Sequence, residues 1–193
     1  MKMLHALTAA LLGVTASAQA EIKVYSAILS PANEVSLSTP SSATGSVMVT
    51  LDDGANTMRV QATFAGLTIA NTAAHIHCCA LPGFNAGVAT TTPTFSGFPT
   101  GATSGSFDSL LDMTLPASFR GGFITDNGGS PLSAFAALET GLDAGKAYFN
   151  IHTTNNPGGE LRGNLAPVPE PATYALMALG LGLVGLTTRR RRA

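Results

Sequence analysis

Side chains able to hold a metal or to carry thiol chemistry crowd into one short stretch, TAAHIHCCALPG, from Thr72 to Gly83. It places His75 and His77 one residue apart and continues directly into Cys78 and Cys79, the only cysteines of the chain. A further histidine, His152, stands next to last in the segment KAYFNIHT. Successive side chains of a strand point to opposite faces, so His75 and His77 share one face and Ile76 takes the other. By the same parity Tyr148, Asn150 and His152 share a face opposite Ala147, Phe149 and Ile151. Two histidines at i and i+2 with a third from a neighbouring strand form a ligand set for copper or zinc through neutral imidazole nitrogens. A purely structural role also fits the same residues: histidines that hydrogen-bond one another, the backbone or Asn150 and fix a strand crossing.

The state of the cysteines depends on the compartment, and the ends of the chain speak to that. The first 20 residues, MKMLHALTAALLGVTASAQA, carry a positive start at Lys2, an apolar run from Leu4 to Val14 and a small-x-small site at Ala18-Gln19-Ala20. That order predicts a signal peptide over 1–20, removed by signal peptidase before Glu21, and export of the remaining chain. Near the other end an apolar segment from about Ala172 to Thr188 precedes four arginines, Arg189 to Arg192. Its length is at the short end for crossing a bilayer. The arginines would stay cytoplasmic, which predicts an inner-membrane anchor with the preceding domain outside.

The order Val168-Pro169-Glu170-Pro171, apolar segment and terminal arginine cluster resembles a PEP-CTERM sorting signal, here residues 167–193. The resemblance implies an exosortase-type transpeptidase as partner, cleavage near the Pro-Glu-Pro, and delivery to the surface or exterior of a Gram-negative bacterium that makes exopolysaccharide. Without cleavage the segment would remain as an anchor.

Between these ends lie residues 21–166, a length suited to one domain with an ordinary core. From Glu21 to Val168 five basic residues stand against ten acidic ones, a net charge of −5. No basic patch is available to neutralise phosphates, so a nucleic-acid partner is not expected. Segments with alternating or β-branched character run over Ile22–Leu29, Gly45–Leu51, Thr57–Phe64, Thr72–Cys78, Gly105–Met113, Lys146–Thr153 and Gly159–Leu165. Asp52-Asp53-Gly54-Ala55-Asn56 supplies hairpin turn chemistry between two of them. The pattern predicts an all-β fold, a single antiparallel Greek-key sandwich or barrel. One short helix is expected near Leu132 to Leu142, started by Ser130-Pro131 and presenting Leu132, Phe135 and Leu138. Thr90 to Ser106 reads as loop.

AAHIH and YFNIHTTNNPGGELRGNL are similar to the two signature blocks of the CHRD domain, and the similarity spans about Ile22 to Leu165. The second block matches at Asn150, His152, Pro157, Gly159, Glu160, Arg162 and Gly163. The resemblance implies an immunoglobulin-like barrel with limited likeness to copper/zinc superoxide dismutases. In those enzymes a His-x-His strand binds copper; His75 and His77 would correspond, with His152 as third ligand. Apart from His5 in the predicted signal peptide there are no further histidines for a zinc site or bridging ligand, so the likeness does not extend to dismutase activity. Where such domains commonly continue with Gly-Pro, this chain has Cys78-Cys79. In an oxidising compartment three outcomes are open: a vicinal disulfide, intermolecular disulfides, or thiolates that join the histidines on a soft metal. Glu160 and Arg162 share a strand face and are expected to pair and anchor the loop Asn155 to Gly159. No Ser-His-Asp set, paired carboxylates or phosphate-cradling loop is present, so no enzyme is expected. The functional expectation is a non-enzymatic surface or matrix domain that binds exopolysaccharide or surface proteins. The alternative is a copper- or zinc-binding envelope protein.

Overall fold

The computed structural model describes residues 21–169. Its strands are β1 (Ile22–Leu29), β2 (Thr44–Asp52), β3 (Thr57–Ala65), β4 (Asn71–His77), β5 (Gly105–Asp112), β6 (Tyr148–Thr153), β7 (Leu161–Asn164) and β8 (Ala166–Pro167). The helices are α1 (Gly121–Asp126) and α2 (Pro131–Asp143). The strands form two antiparallel sheets, one ordered β5-β3-β2-β1-β8 and the other β4-β6-β7. The all-β sandwich is therefore the observed fold. The expected signal peptide, Glu170 and Pro171 of the sorting motif, and the apolar and arginine-rich tail lie outside the described residues. Among the described residues no helix is long and apolar enough to cross a membrane.

Alternation builds the larger sheet. Val47, Val49 and Leu51 of β2 and Met58, Val60, Ala62 and Phe64 of β3 are buried, while the residues between them are exposed or half-buried. Backbone hydrogen bonds between Ser30 and Arg162 join the end of β1 to β7 and turn the corner between the sheets. Gly163 fits that corner because a Cβ there would stand 2.8 Å from Ala27 and Leu29 side-chain atoms.

α2 agrees with the predicted signals. Ser130 caps it reciprocally with Ser133, Pro131 stands in its first turn, and Phe135, Leu138 and Leu142 are buried. Leu132, expected on the buried face, is 52% exposed. At the far end of the helix Asp143 accepts from Lys23 Nζ at 2.8 Å and from Tyr25 Oη at 2.6 Å, which ties the helix to β1. α1 has no counterpart among the expected elements. It opens on two glycines with no side-chain cap, and its support comes from buried Phe123, stacked against Phe119 at 6.4 Å. Packing makes that helix where intrinsic propensity gives no sign of it.

The smaller sheet buries both faces. Its register sets His77 opposite Tyr148, His75 opposite Asn150, Ala73 opposite His152, and Asn150 opposite Arg162. Residues directly opposite in an antiparallel pair share a face. One face is therefore apolar, with Ala74, Ile76, Phe149, Ile151 and Leu161 all fully buried in the core. The other carries His75, His77, Tyr148, Asn150, His152 and Arg162. It is covered by the segment 84–93 and by the turn that holds Glu34.

Candidate metal centre

His75, His77 and His152 converge on the polar face of the small sheet, with one nitrogen from each lying within 4.8 Å of the others. Ring centroids are 5.2 Å apart for His75 and His152, 5.7 Å for His77 and His152, and 5.8 Å for His75 and His77. The opposite nitrogen of each ring is held by a backbone carbonyl. His75 Nε2 donates to Pro93 O, His77 Nδ1 to Ala86 O at 3.0 Å, and His152 Nδ1 to Pro157 O at 3.0 Å. A carbonyl can only accept, so each of these bonds fixes the proton on the bonded nitrogen and leaves a lone pair on the other. The nitrogens left over are His75 Nδ1, His77 Nε2 and His152 Nε2, and all three are buried without a hydrogen-bond partner among the described residues.

The carbonyl bond of each ring is the backbone hydrogen bonding that the structural reading expects, and the second, unpartnered nitrogen of each ring is what the metal reading requires. Histidines satisfying one another would pair a donor with an acceptor, whereas three unprotonated nitrogens cannot. Burial lowers the pKa of all three rings, against the carbonyl bonds that oppose it, to about 4 for His77 and His152. The rings are thus neutral at physiological pH, the form a metal requires. Bonds of about 2.0–2.1 Å to a single ion would draw the three nitrogens closer together than the 4.8 Å within which they lie. The donor set fits copper or zinc.

Cys78 and Cys79 do not join this cluster. They are bonded to each other as a vicinal disulfide. Their sulfurs lie against Gly141 of α2, where any Cβ would run into both. Cys78 comes directly after His77 and so falls on the opposite side of the strand; it belongs to the apolar core, while Cys79 is exposed.

Glu160 and Arg162 do not pair. Glu160 accepts from Ser41 Oγ at 2.8 Å, Thr68 N and Oγ1 at 2.7 and 2.8 Å, and Thr153 Oγ1 at 2.7 Å. Burial raises its pKa, but these bonds outweigh burial and leave it below the usual carboxylate range. It precedes the first paired residue of β7 and comes after Gly159, whose φ of 131° interrupts strand geometry, so strand parity does not reach it. Arg162 is fully buried. It donates to Asn85 Oδ1 at 3.0 Å and to Phe84 O at 2.7 Å, and its guanidinium carbon lies 3.5 Å over the Tyr148 ring. The other neighbour of that ring is His77, stacked at 4.8 Å with 4° between planes. The anchoring of the 155–159 loop falls instead to Asn156, which bonds Thr39 and Thr153, and to Glu160.

Two contributors carry no functional signal in the sequence. Parity puts Tyr148 on the correct face, yet nothing in it announces that the hydroxyl and ring brace Ala86 and His77. Glu34 comes from a turn with no motif. It accepts from Asn150 Nδ2 at 3.0 Å, and burial lifts its pKa to about 7 against the opposing pull of Arg162 and Asn150. Gly159 leaves the room they occupy, since a Cβ there would collide with both Asn150 and Glu34.

No curated protein and no solved structure matches the chain. Residues 167–192 match the PEP-CTERM protein-sorting motif, which signals export, a membrane-anchored intermediate and processing by an exosortase-type system on the way to the surface. Residues 25–165, the span that holds the whole histidine cluster, match the CHRD domain, and the chain belongs to the CHRD domain family.

Proposed function

We propose that the domain binds a copper or zinc ion through His75 Nδ1, His77 Nε2 and His152 Nε2, and that exosortase-dependent sorting presents this centre at the surface of a Gram-negative cell. One observation carries the reading: three imidazoles lie together, each tied to a carbonyl through one nitrogen and each with its other nitrogen buried without a partner among the described residues. A bound ion would supply Lewis-acid or, for copper, one-electron chemistry. The chain's own residues bind it, orient the rings through the carbonyls of Pro93, Ala86 and Pro157, and shield it from water. No reaction is assigned, and the role is non-enzymatic binding or storage.

The test is elemental analysis of the full-length protein after loading with copper or zinc and dialysis, beside the His75→Ala and His152→Ala variants. The wild type is expected to keep one ion per chain and the variants almost none. A wild type that retains no more metal than the variants overturns the reading.

A second role, adhesion or exopolysaccharide association, draws support from the solvated face of the large sheet. There Ser46, Thr63, Gln61 and Asp108 present hydroxyl, amide and carboxylate groups across neighbouring strands. Exopolysaccharide or other surface proteins would be its partners.

A further inference from the structure

We infer that the three-histidine centre prefers monovalent copper to divalent zinc, and that Arg162 is the residue that sets this preference; the inference rests on the metal reading above. Imidazole nitrogen accepts both ions, so ligand type alone does not discriminate between them. Charge does. The three ligands are neutral and no carboxylate or thiolate belongs to the cluster, the cysteines being bonded to each other. Nothing in the ligand set therefore offsets the charge of the ion, and the cost of burying an ion rises steeply with its charge.

Arg162 adds to that cost. It is fully buried, forms no salt bridge among the described residues, and gives its hydrogen bonds only to neutral acceptors, Asn85 Oδ1 and Phe84 O. The nearby carboxyl, Glu34, bonds Asn150 and not the guanidinium. Guanidinium, Tyr148 ring and His77 ring are stacked in that order, which holds the cation within about 8 Å of a ligand ring. Repulsion between Arg162 and the ion scales with ionic charge, so a divalent ion feels twice what a monovalent one does. At this separation and an effective dielectric constant of about 20, one extra unit of charge corresponds to a change on the order of twentyfold in relative affinity.

The experiment titrates the full-length protein, anaerobically and in a noncoordinating buffer, with copper(I) against a copper(I) chelator and with zinc(II) against a zinc chelator. The readout is the ratio of the two affinities in the wild type, in Arg162→Lys, which keeps the charge, and in Arg162→Met, which keeps the apolar stem without it. Wild type is expected to favour copper(I). The ratio should fall on the order of twentyfold in Arg162→Met and stay within about threefold of wild type in Arg162→Lys. If Arg162→Met does not fold, Glu34→Gln at pH 8 serves instead: loss of the negative charge that Arg162 feels from Glu34 should raise the ratio, and an unchanged or lowered ratio counts against the inference. Zinc bound as tightly as copper(I) by the wild type, or equal ratios in the Met and Lys variants, overturns it while leaving the metal centre intact. Binding of neither ion by the wild type removes the centre itself.

Discussion

The two sheets use the same alternation to opposite ends. In β2 and β3 every second residue is buried and those between face solvent, so polar side chains there satisfy themselves with water. In β4 and β6 nearly every residue is buried, and the alternate set is still polar. Burying polar groups is costly unless they are paired. Most on this face are, through Asn150 to Glu34, Arg162 to Asn85 and each imidazole to a carbonyl. The unpaired atoms are concentrated there too: the three imidazole nitrogens, Asn150 Oδ1 and Arg162 Nε. The lesson is that an apolar face gives the small sheet its stability and a polar face, sealed by loops, gathers the candidate ligands.

The contrast breaks most visibly on the apolar side. Phe149→Ala removes a fully buried ring that stacks on Phe95 at 6.1 Å, and should cost about 3–5 kcal/mol in urea denaturation. A loss below about 1 kcal/mol would mean that the apolar face is not what holds the sheet.

Acid should act next, on the polar side. His77 and His152 titrate near 4 in the fold and near 6.5 when unfolded, so the unfolded chain binds more protons between those values. Their contribution is therefore complete above about pH 6.5 and is lost as pH falls towards 4. Glu34 works the other way, since its folded pKa of about 7 exceeds the ordinary 4.5 and stabilises the fold as pH drops through that window. The net loss for metal-free protein should be on the order of 3 kcal/mol, and larger in Glu34→Gln. Thermal melting from pH 7 to pH 4 reads it, and a flat profile in both proteins would contradict buried neutral imidazoles.

The smallest effect belongs to the solvated sheet. Ser46→Ala removes only an exposed hydroxyl that faces Thr63 at 3.0 Å, and its stability should stay within about 0.5 kcal/mol of wild type. A larger change would show that this face is less like open surface than its exposure implies.

Legibility in the sequence tracks the reach of local rules. Alternation locates β2 and β3, and parity puts His75 and His77 with Tyr148, Asn150 and His152 on common faces. Parity fails for Glu160 because Gly159 breaks strand geometry one residue earlier. The carbonyls of Pro93, Ala86 and Pro157, which decide where each imidazole proton sits, are main-chain atoms that every residue carries, so no residue type announces them. The stack of Arg162 on Tyr148 on His77 joins three strands through register, and Glu34 enters from a distant turn; neither relation is written in any one segment. The cysteines are legible as a choice of outcomes, but the empty space at Gly141 that accepts their disulfide belongs to a helix 62 residues beyond Cys79.

The short strand β8 also bears on maturation. Val168 N donates to Val24 O at 2.7 Å, so the last backbone bond to the sheet falls immediately before Pro169-Glu170-Pro171. At about 3.3–3.6 Å per extended residue, that landmark extends no more than roughly 10 Å beyond the domain's edge. An enzyme that cut at this landmark would have to work close against a folded substrate or first peel β8 from β1, so the folded domain would become part of the surface it must accommodate.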